Sequence, residues 1–373
     1  MIEVAHMIFP RTIAEGRAFC NRDLERERLK YNIESIQHTL VISPRRYGKT
    51  SLILKSIDEL AWPFIHLDLF LAFEEQKIVD RFLDAIAKLI ANIMPLNTKT
   101  LGKLRDFFSL FTFSLSSGEV ELSLSLKSSE SNHAKTLRNA IEGLERFLIK
   151  HKKKAVFFID EMQDIVNNPI CGEIEAILRF YAQKTKQLSF IFSGSNRKLL
   201  KEIFDDSKRP LFKLCDRINL KRINRNSHEK FIQKASLRKW KKELSSETIN
   251  LILDKTEDHS FYINYLCSNL WRSKTLPNIK LVKQEWRTIC ENESSAIATD
   301  IALLSGGQKL ILAHIAEKDF TKNTTSKDFL HQVQMTLRGA QQSIKGLLNK
   351  DLIEEAPEGY RVIDPILKNL LLS

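Results

Sequence analysis

The sequence predicts an α/β fold: a parallel sheet flanked by helices, then an all-helical segment and a small C-terminal unit. Three observations predict it. Up to about residue 224, short apolar or β-branched runs alternate with stretches of helical spacing, the pattern of strand–helix–strand units. From about 225 to 300 the apolar residues recur at helical spacing only, and the last seventy or so residues read as three helices and a hairpin. With 12 Gly and 9 Pro in 373 residues, about half the usual share, the chain favours long helices over loose linkers.

The elements follow in order. Residues 19–37 (FCNRDLERERLKYNIESIQ) set Leu24, Leu29 and Ile33 among charges at helical spacing. TLVI (39–42) is a short strand, a polar loop follows, and SLILKSIDEL (51–60) returns to helical spacing. PFIHLDLFL (63–71) reads as a buried strand and QKIVDRFLDAIAKLIANI (76–93) as a helix. FTFSLSSGEVELSLSL (111–126) alternates on both sides of Ser116-Ser117-Gly118, a hairpin inserted at about 107–128. The helix KTLRNAIEGLERFLIKH precedes the strand KKKAVFFIDE, which ends in two acids. The helix EIEAILRFYAQKTK precedes LSFIFSGSN, a strand ending in small polar residues. Open parallel sheets bind ligands beyond the carboxyl ends of their strands. Three polar constellations fall there: Ser43 to Thr50, Asp160-Glu161, and Ser193 to Asn196.

Composition narrows the function classes. The five cysteines are scattered, with no C-x-x-C pair, which argues against a disulfide framework or zinc site and suits a reducing compartment. The first residues lack a basic head followed by an apolar run, and no stretch approaches ~18 apolar residues. A cytoplasmic protein without a membrane span is expected. The net charge is +12, and between Arg197 and Lys242 there are 16 Lys/Arg against 5 Asp/Glu. Such a segment either faces a phosphate-rich partner or is a solvated face.

The segment SPRRYGKTS (43–51) carries the chemistry. Backbone N–H groups at a helix N-terminus converge on phosphate oxygens, a lysine adds charge, and a Ser/Thr hydroxyl ligates Mg²⁺. Gly48, Lys49 and Thr50 supply these parts after a strand and before a helix. The tripeptide alone occurs by chance in about one chain in five of this length, so its setting matters more than its letters. Ser43 stands where such loops begin with glycine, which removes free access to positive φ there, and Pro44 can brace the turn. Asp160 suits an Mg²⁺ ligand, and Glu161 suits a group that orients water. Adjacent acids on a strand point to opposite sides, so the two need not share a proton. The bland alternative is a helix cap and first turn. Ser193, Ser195 or Asn196 would touch a terminal phosphate or its attacking water, or would merely cap the following turn.

These segments together resemble the archaeal-type ATPase family, a branch of the AAA+/STAND P-loop ATPases. FCNRDLERERL is similar to its opening motif F-x-G-R-E-x-E-L, SPRRYGKTSL to its G-x-R-R-x-G-K-T-S-L, and FFIDEMQDI to its D-E-F-Q segment. GLLNKDLIEEAPEGYRVIDPIL resembles its winged-helix ending. The resemblance implies a P-loop ATPase domain over 1–224, a helical lid over 225–300 and a winged helix over 301–373. It implies ATP and Mg as ligands, with Phe19, Asn21 and Arg22 near the adenine. Ser43, Pro44, Arg45, Arg46, Tyr47, Gly48, Lys49, Thr50 and Ser51 would surround the phosphates. Thr50 and Asp160 would hold Mg, and Lys49, Asp160, Glu161, Ser193 and Asn196 would serve catalysis.

The departures are Asn21 and Ser43 for two glycines, and Asp258 and Ser260 where the lid segment expects glycine and proline. Arg209 or Arg217 stands out of register as an arginine finger.

Two further features bear on partners. Trp240 lies among Lys234, Arg238, Lys239, Lys241 and Lys242, where it either stacks on a base or, more often for such a residue, faces the lid core. The helix TLRGAQQSIKGLLNKDL presents Arg338, Gln341, Gln342 and Lys345 to a DNA groove or to a docking protein. The expected function is a slowly hydrolysing ATP/ADP switch ATPase whose nucleotide state controls lid and winged helix. The alternatives are an ATP-regulated DNA-binding protein resembling origin-recognition initiators, and a nucleotide-binding scaffold without turnover. Protein partners or self-association are compatible with each.

Overall fold

Two-sided apolar runs require a sheet covered on both faces, and that is how TLVI, AVFFID and LSFIFSG are used. The structure, a computed structural model, describes residues 8–94, 104, 106–116, 121–126 and 132–372. They divide into two compact units.

The first unit, Asp23–Ser43 and Leu52–Leu220, holds a five-stranded sheet. Its strands are β1 (Thr39–Ile42), β2 (Phe64–Asp68), β5 (Ala155–Asp160), β6 (Leu188–Gly194) and β7 (Asp216–Asn219), in the order β2-β5-β6-β1-β7. Every pairing is parallel. A separate antiparallel pair, β3 (Phe111–Ser116) and β4 (Glu121–Leu126), is the expected hairpin, with Phe111 opposite Leu126. Its turn at Ser117-Gly118 lies outside the described residues. The strand β7 was not foreseen. DRIN buries only Ile218 and sits at the sheet edge, so it lacks the apolar run that marks a central strand.

The helices of this unit are α1 (Asp23–Glu34), α2 (Lys49–Leu60, which begins in the other unit), α3 (Glu75–Ile93), α4 (His133–Lys150), α5 (Cys171–Lys184) and α6 (Arg197–Asp205). Leu29 and Ile33 are buried on α1 as the spacing predicts, but Leu24, in its first turn, is 86% exposed. Phe82, Phe147, Phe157 and Phe190 are fully buried members of one continuous core.

The second unit comprises Met1–Arg22, Pro44–Ser51 and Lys221–Ser373. Four helices, α7 (Arg225–Trp240), α8 (Ser246–Thr256), α9 (Ser260–Leu270) and α10 (Ile279–Ala302), each begin with a side-chain cap from Asn224, Ser245, His259 or Asn278. They share a core that includes Phe9, Ile232, Leu266 and Trp286. Trp240 belongs with this packing: its ring lies 4.8 Å from that of Trp271, which is 4.6 Å from Phe9.

The C-terminal part follows as α11 (Gly306–Glu317), α12 (Lys327–Gln332), α13 (Leu337–Asn349), the antiparallel pair β8 (Ile353–Ala356) and β9 (Gly359–Val362), and α14 (Pro365–Leu372). Gly359 has φ +127°, and a Cβ there would meet Thr321 O at 2.5 Å, so the turn between β8 and β9 requires glycine. The last helix was not expected from the sequence. Its Ile366 enters the core of the four helices while Leu367 enters the C-terminal core, which splices the two together. No helix among the described residues is long and apolar enough to cross a membrane.

Candidate functional site

In the sheet unit, the carboxyl ends of β5, β6 and β1 lie side by side: Ile159 pairs with Phe192 and Gly194 with Ile42. Asp160 is the last residue of β5. Ser193 Oγ and the Glu161 N–H (3.0 Å) both donate to its Oδ1, and His66 Nε2 stands 3.6 Å from Oδ2. Burial alone would raise this carboxyl. The hydrogen bonds from His66, Ser193 and the Glu161 amide outweigh burial and hold it below the usual carboxylate range. An anionic oxygen donor is thus prepared, which is what a hard divalent cation takes.

Glu161 departs from the expectation for two acids on one strand. Its φ of +51° is left-handed and turns the chain into the short helix Met162–Ile165. Glu161 Oε2 accepts from the Ser195 N–H (3.0 Å), Ser195 Oγ (2.9 Å) and Gln163 Nε2 (2.5 Å). Gln163 also donates to Asp164 at 3.0 Å. Asn196 takes the capping role that competed with the functional one: its side-chain oxygen accepts from the Leu199 N–H at the start of α6. Arg209 is bound to the fully buried Glu175 and Arg217 to Asp205, so both candidate fingers hold internal partners.

The loop leaves β1 at Ser43 and enters α2 at Lys49. Ser43 is buried and is not among the residues with positive φ, which fall instead at Arg46 (+65°) and Gly48 (+87°). The serine therefore occupies a position where this chain does not need glycine. Within the second unit, Lys49 is buried, with Nζ 3.4 Å from Pro44 O. Thr50 follows in the first turn of α2, and Ser51 Oγ accepts from the Ala14 N–H at 2.9 Å. Arg45 is exposed, while Arg46 lies over the ring of Phe261 at 4.2 Å.

Phe19 is half-buried beside the left-handed pair Asn21 (φ +57°) and Arg22 (φ +78°). Asparagine tolerates that region better than most residues, which accounts for its standing in place of glycine. Asn21 Nδ2 donates to Ser227 Oγ at 2.5 Å, and Arg22 Nη2 donates to Tyr47 O at 3.1 Å. Asp258 likewise keeps a left-handed φ of +56° without glycine, and Ser260 is the first residue of α9, where proline is favoured but not required.

Sequence reasoning missed three residues: His66 beside Asp160, Gln163 bridging two carboxylates, and Arg222, whose side chain, 6% exposed, lies against Tyr47 of the loop. The signal for His66 was a polar residue within an otherwise mostly apolar strand, FIHLD. No local signal marked Arg222.

Residues 298–373 match the family described as a probable winged helix domain. The whole chain is similar to the Walker-type ATPase PABY2304 of Pyrococcus abyssi, with 18% identity, 98% of this chain and 100% of that one covered, and a TM-score of 0.70. It is also similar to the Aeropyrum pernix ORC2 protein, solved in ADPNP–ADP complexes, with 14% identity, 98% and 96% covered, and a TM-score of 0.59. The chain has the P-loop ATPase fold. No curated protein matches the sequence. The overall fold is thus common to this chain and to archaeal proteins of very different sequence.

Proposed function

We propose that the chain binds Mg–ATP and hydrolyses it slowly, its nucleotide state setting the lid and winged helix. The observation that carries this reading is the placement of the three polar constellations. The loop continues β1, Ser193 is the penultimate residue of β6, and Asp160 ends β5 with Glu161 just beyond it, on three consecutive strands of a parallel sheet. In this reading Lys49 and the loop amides hold the phosphates, while Thr50 and Asp160 hold Mg²⁺. When bound, the ion neutralises charge on the phosphate oxygens. Glu161 takes the proton of the attacking water, and Ser195 orients Glu161. Asn21 and Arg22 lie at the base. The likeness to an ADPNP–ADP-bound protein supports this reading.

Purified Lys49→Ala should lose ATP binding, and Glu161→Gln should keep it while phosphate release falls at least ~100-fold. Unchanged turnover in either variant removes the assigned roles. Bound nucleotide with no phosphate release by the wild type would instead identify a scaffold.

A second reading, ATP-controlled DNA binding, is favoured by Arg338, Gln341, Gln342 and Lys345, all exposed on α13. A salt-dependent mobility shift that responds to ATP supports it, and absence of binding at low salt eliminates it.

A further inference from the structure

A carboxylate on the strand of a small hairpin ordinarily faces water, yet Glu354 on β8 is only 8% exposed. Its burial has a specific cause. Tyr47 Oη donates to Glu354 Oε1 at 2.8 Å, across 307 residues of sequence, and Arg361 Nε donates to the same oxygen at 2.7 Å. Arg222 Nε stands 3.2 Å from Tyr47 Oη and 3.4 Å from Glu354. The guanidinium of Arg222 also donates to Glu257 O and, at 2.8 Å, to Ile363 O. A residue of the phosphate loop is thus tied to the first strand of the winged helix through one buried acid and one arginine whose side chain is 6% exposed.

Tyr47 immediately precedes Gly48 and Lys49, and its surroundings fix it from several sides. Its carbonyl accepts from Arg22, and its ring meets His259 edge-on at 5.0 Å. Its side chain is 3% exposed, and burial pushes the phenol up to about 12, so the hydroxyl stays protonated and donates. On either side, Arg46 and Gly48 hold left-handed φ values. A non-glycine residue keeps such a conformation only where its neighbours over-determine it.

We propose that Glu354 is a positioning residue for the phosphate loop, acting through Tyr47 from the winged helix. This rests on the ATP-binding reading above and extends it: the C-terminal domain does not merely respond to the loop but helps to shape it. The acidic Glu354 face of the hairpin is accordingly committed inward.

The test uses the full chain and four variants, Tyr47→Phe, Glu354→Ala, Glu354→Gln and the double Tyr47→Phe/Glu354→Ala. The readouts are the affinity for a non-hydrolysable fluorescent ATP analogue with Mg²⁺, and amide hydrogen exchange of residues 44–51 without nucleotide. Tyr47→Phe and Glu354→Ala should each weaken binding about tenfold, equivalent to about 1.4 kcal/mol. The double variant should be no weaker than the worse single, because the Tyr47–Glu354 hydrogen bond is already lost in either single variant. Glu354→Gln, which retains an acceptor, should recover most of the affinity, and loop exchange should quicken in both single variants. Unchanged or tighter binding, or fully additive losses, overturns the proposal. A wild type that binds no nucleotide removes the ATPase reading instead. Loop exchange then decides alone, and unchanged exchange in Tyr47→Phe and Glu354→Ala overturns the coupling.

Discussion

Ser195 holds Glu161 twice, its amide N–H at 3.0 Å and its hydroxyl at 2.9 Å from the same carboxylate oxygen. The strand next to β5 thereby sets the orientation of the acid that follows β5. Under the proposed mechanism Ser195→Ala keeps the amide contact and loses the hydroxyl. Phosphate release should fall roughly tenfold, about one charge-assisted hydrogen bond, with ATP affinity unchanged within about twofold. Steady-state turnover and analogue binding measured on one preparation separate the two effects.

Gly194 makes room for Gln163. A Cβ at Gly194 would stand 1.9 Å from Gln163 Oε1, an atom that is buried without a hydrogen-bond partner. Gly194→Ala should expel the amide, cost about 1–3 kcal/mol of stability and release Glu161 from its third donor. Denaturant unfolding of Gly194→Ala and of Gly194→Ala/Gln163→Ala checks this, because the second change should restore part of the loss.

Three buried histidines make the fold acid-sensitive. His38 Nε2 donates to Ala182 O at 2.7 Å and its Nδ1 accepts from the Phe190 N–H, and burial lowers its pKa. Burial, aided by Arg22, lowers His228 to about 4, and burial with Arg222 and Arg46 holds His259 well below its usual value. All three are neutral when folded. The unfolded chain takes up protons first as pH drops below about 6.5, so stability is full above that pH and declines below it. His228 alone should account for roughly 3 kcal/mol by pH 4. Thermal unfolding between pH 7.5 and 4 should show a falling Tm, with a shallower slope in His228→Gln.

The aromatic residue in the basic segment should behave as core. Trp240→Ala removes the contact with Trp271 and should cost about 2 kcal/mol, without altering any DNA affinity the chain has. Arg338→Ala/Lys345→Ala should leave the Tm in place and reduce the magnitude of the salt slope of DNA binding by about two. The opposite pattern would return Trp240 to a stacking role.

Much of the sheet unit was legible beforehand because its signals are local. TLVI, AVFFID and LSFIFSG are buried on both faces and so read as unbroken apolar runs, and the polar residues after them mark the carboxyl ends of the strands. DRIN failed the same test because an edge strand buries one residue in four. PILKNLLL was passed over because its apolar side chains serve two cores at once.

The sequence by itself determined the alternation of strands and helices, the phosphate-loop pattern and the acids that end β5, since each is written in the spacing of near neighbours. Tertiary structure alone decided that Glu161 turns left-handed under Ser195, that Arg209 is bound to Glu175, and that Tyr47 reaches Glu354. Those pairings join residues from about thirty to more than three hundred positions apart. Their partners are chosen by packing and by the need to satisfy buried charge, and neither is encoded in local periodicity.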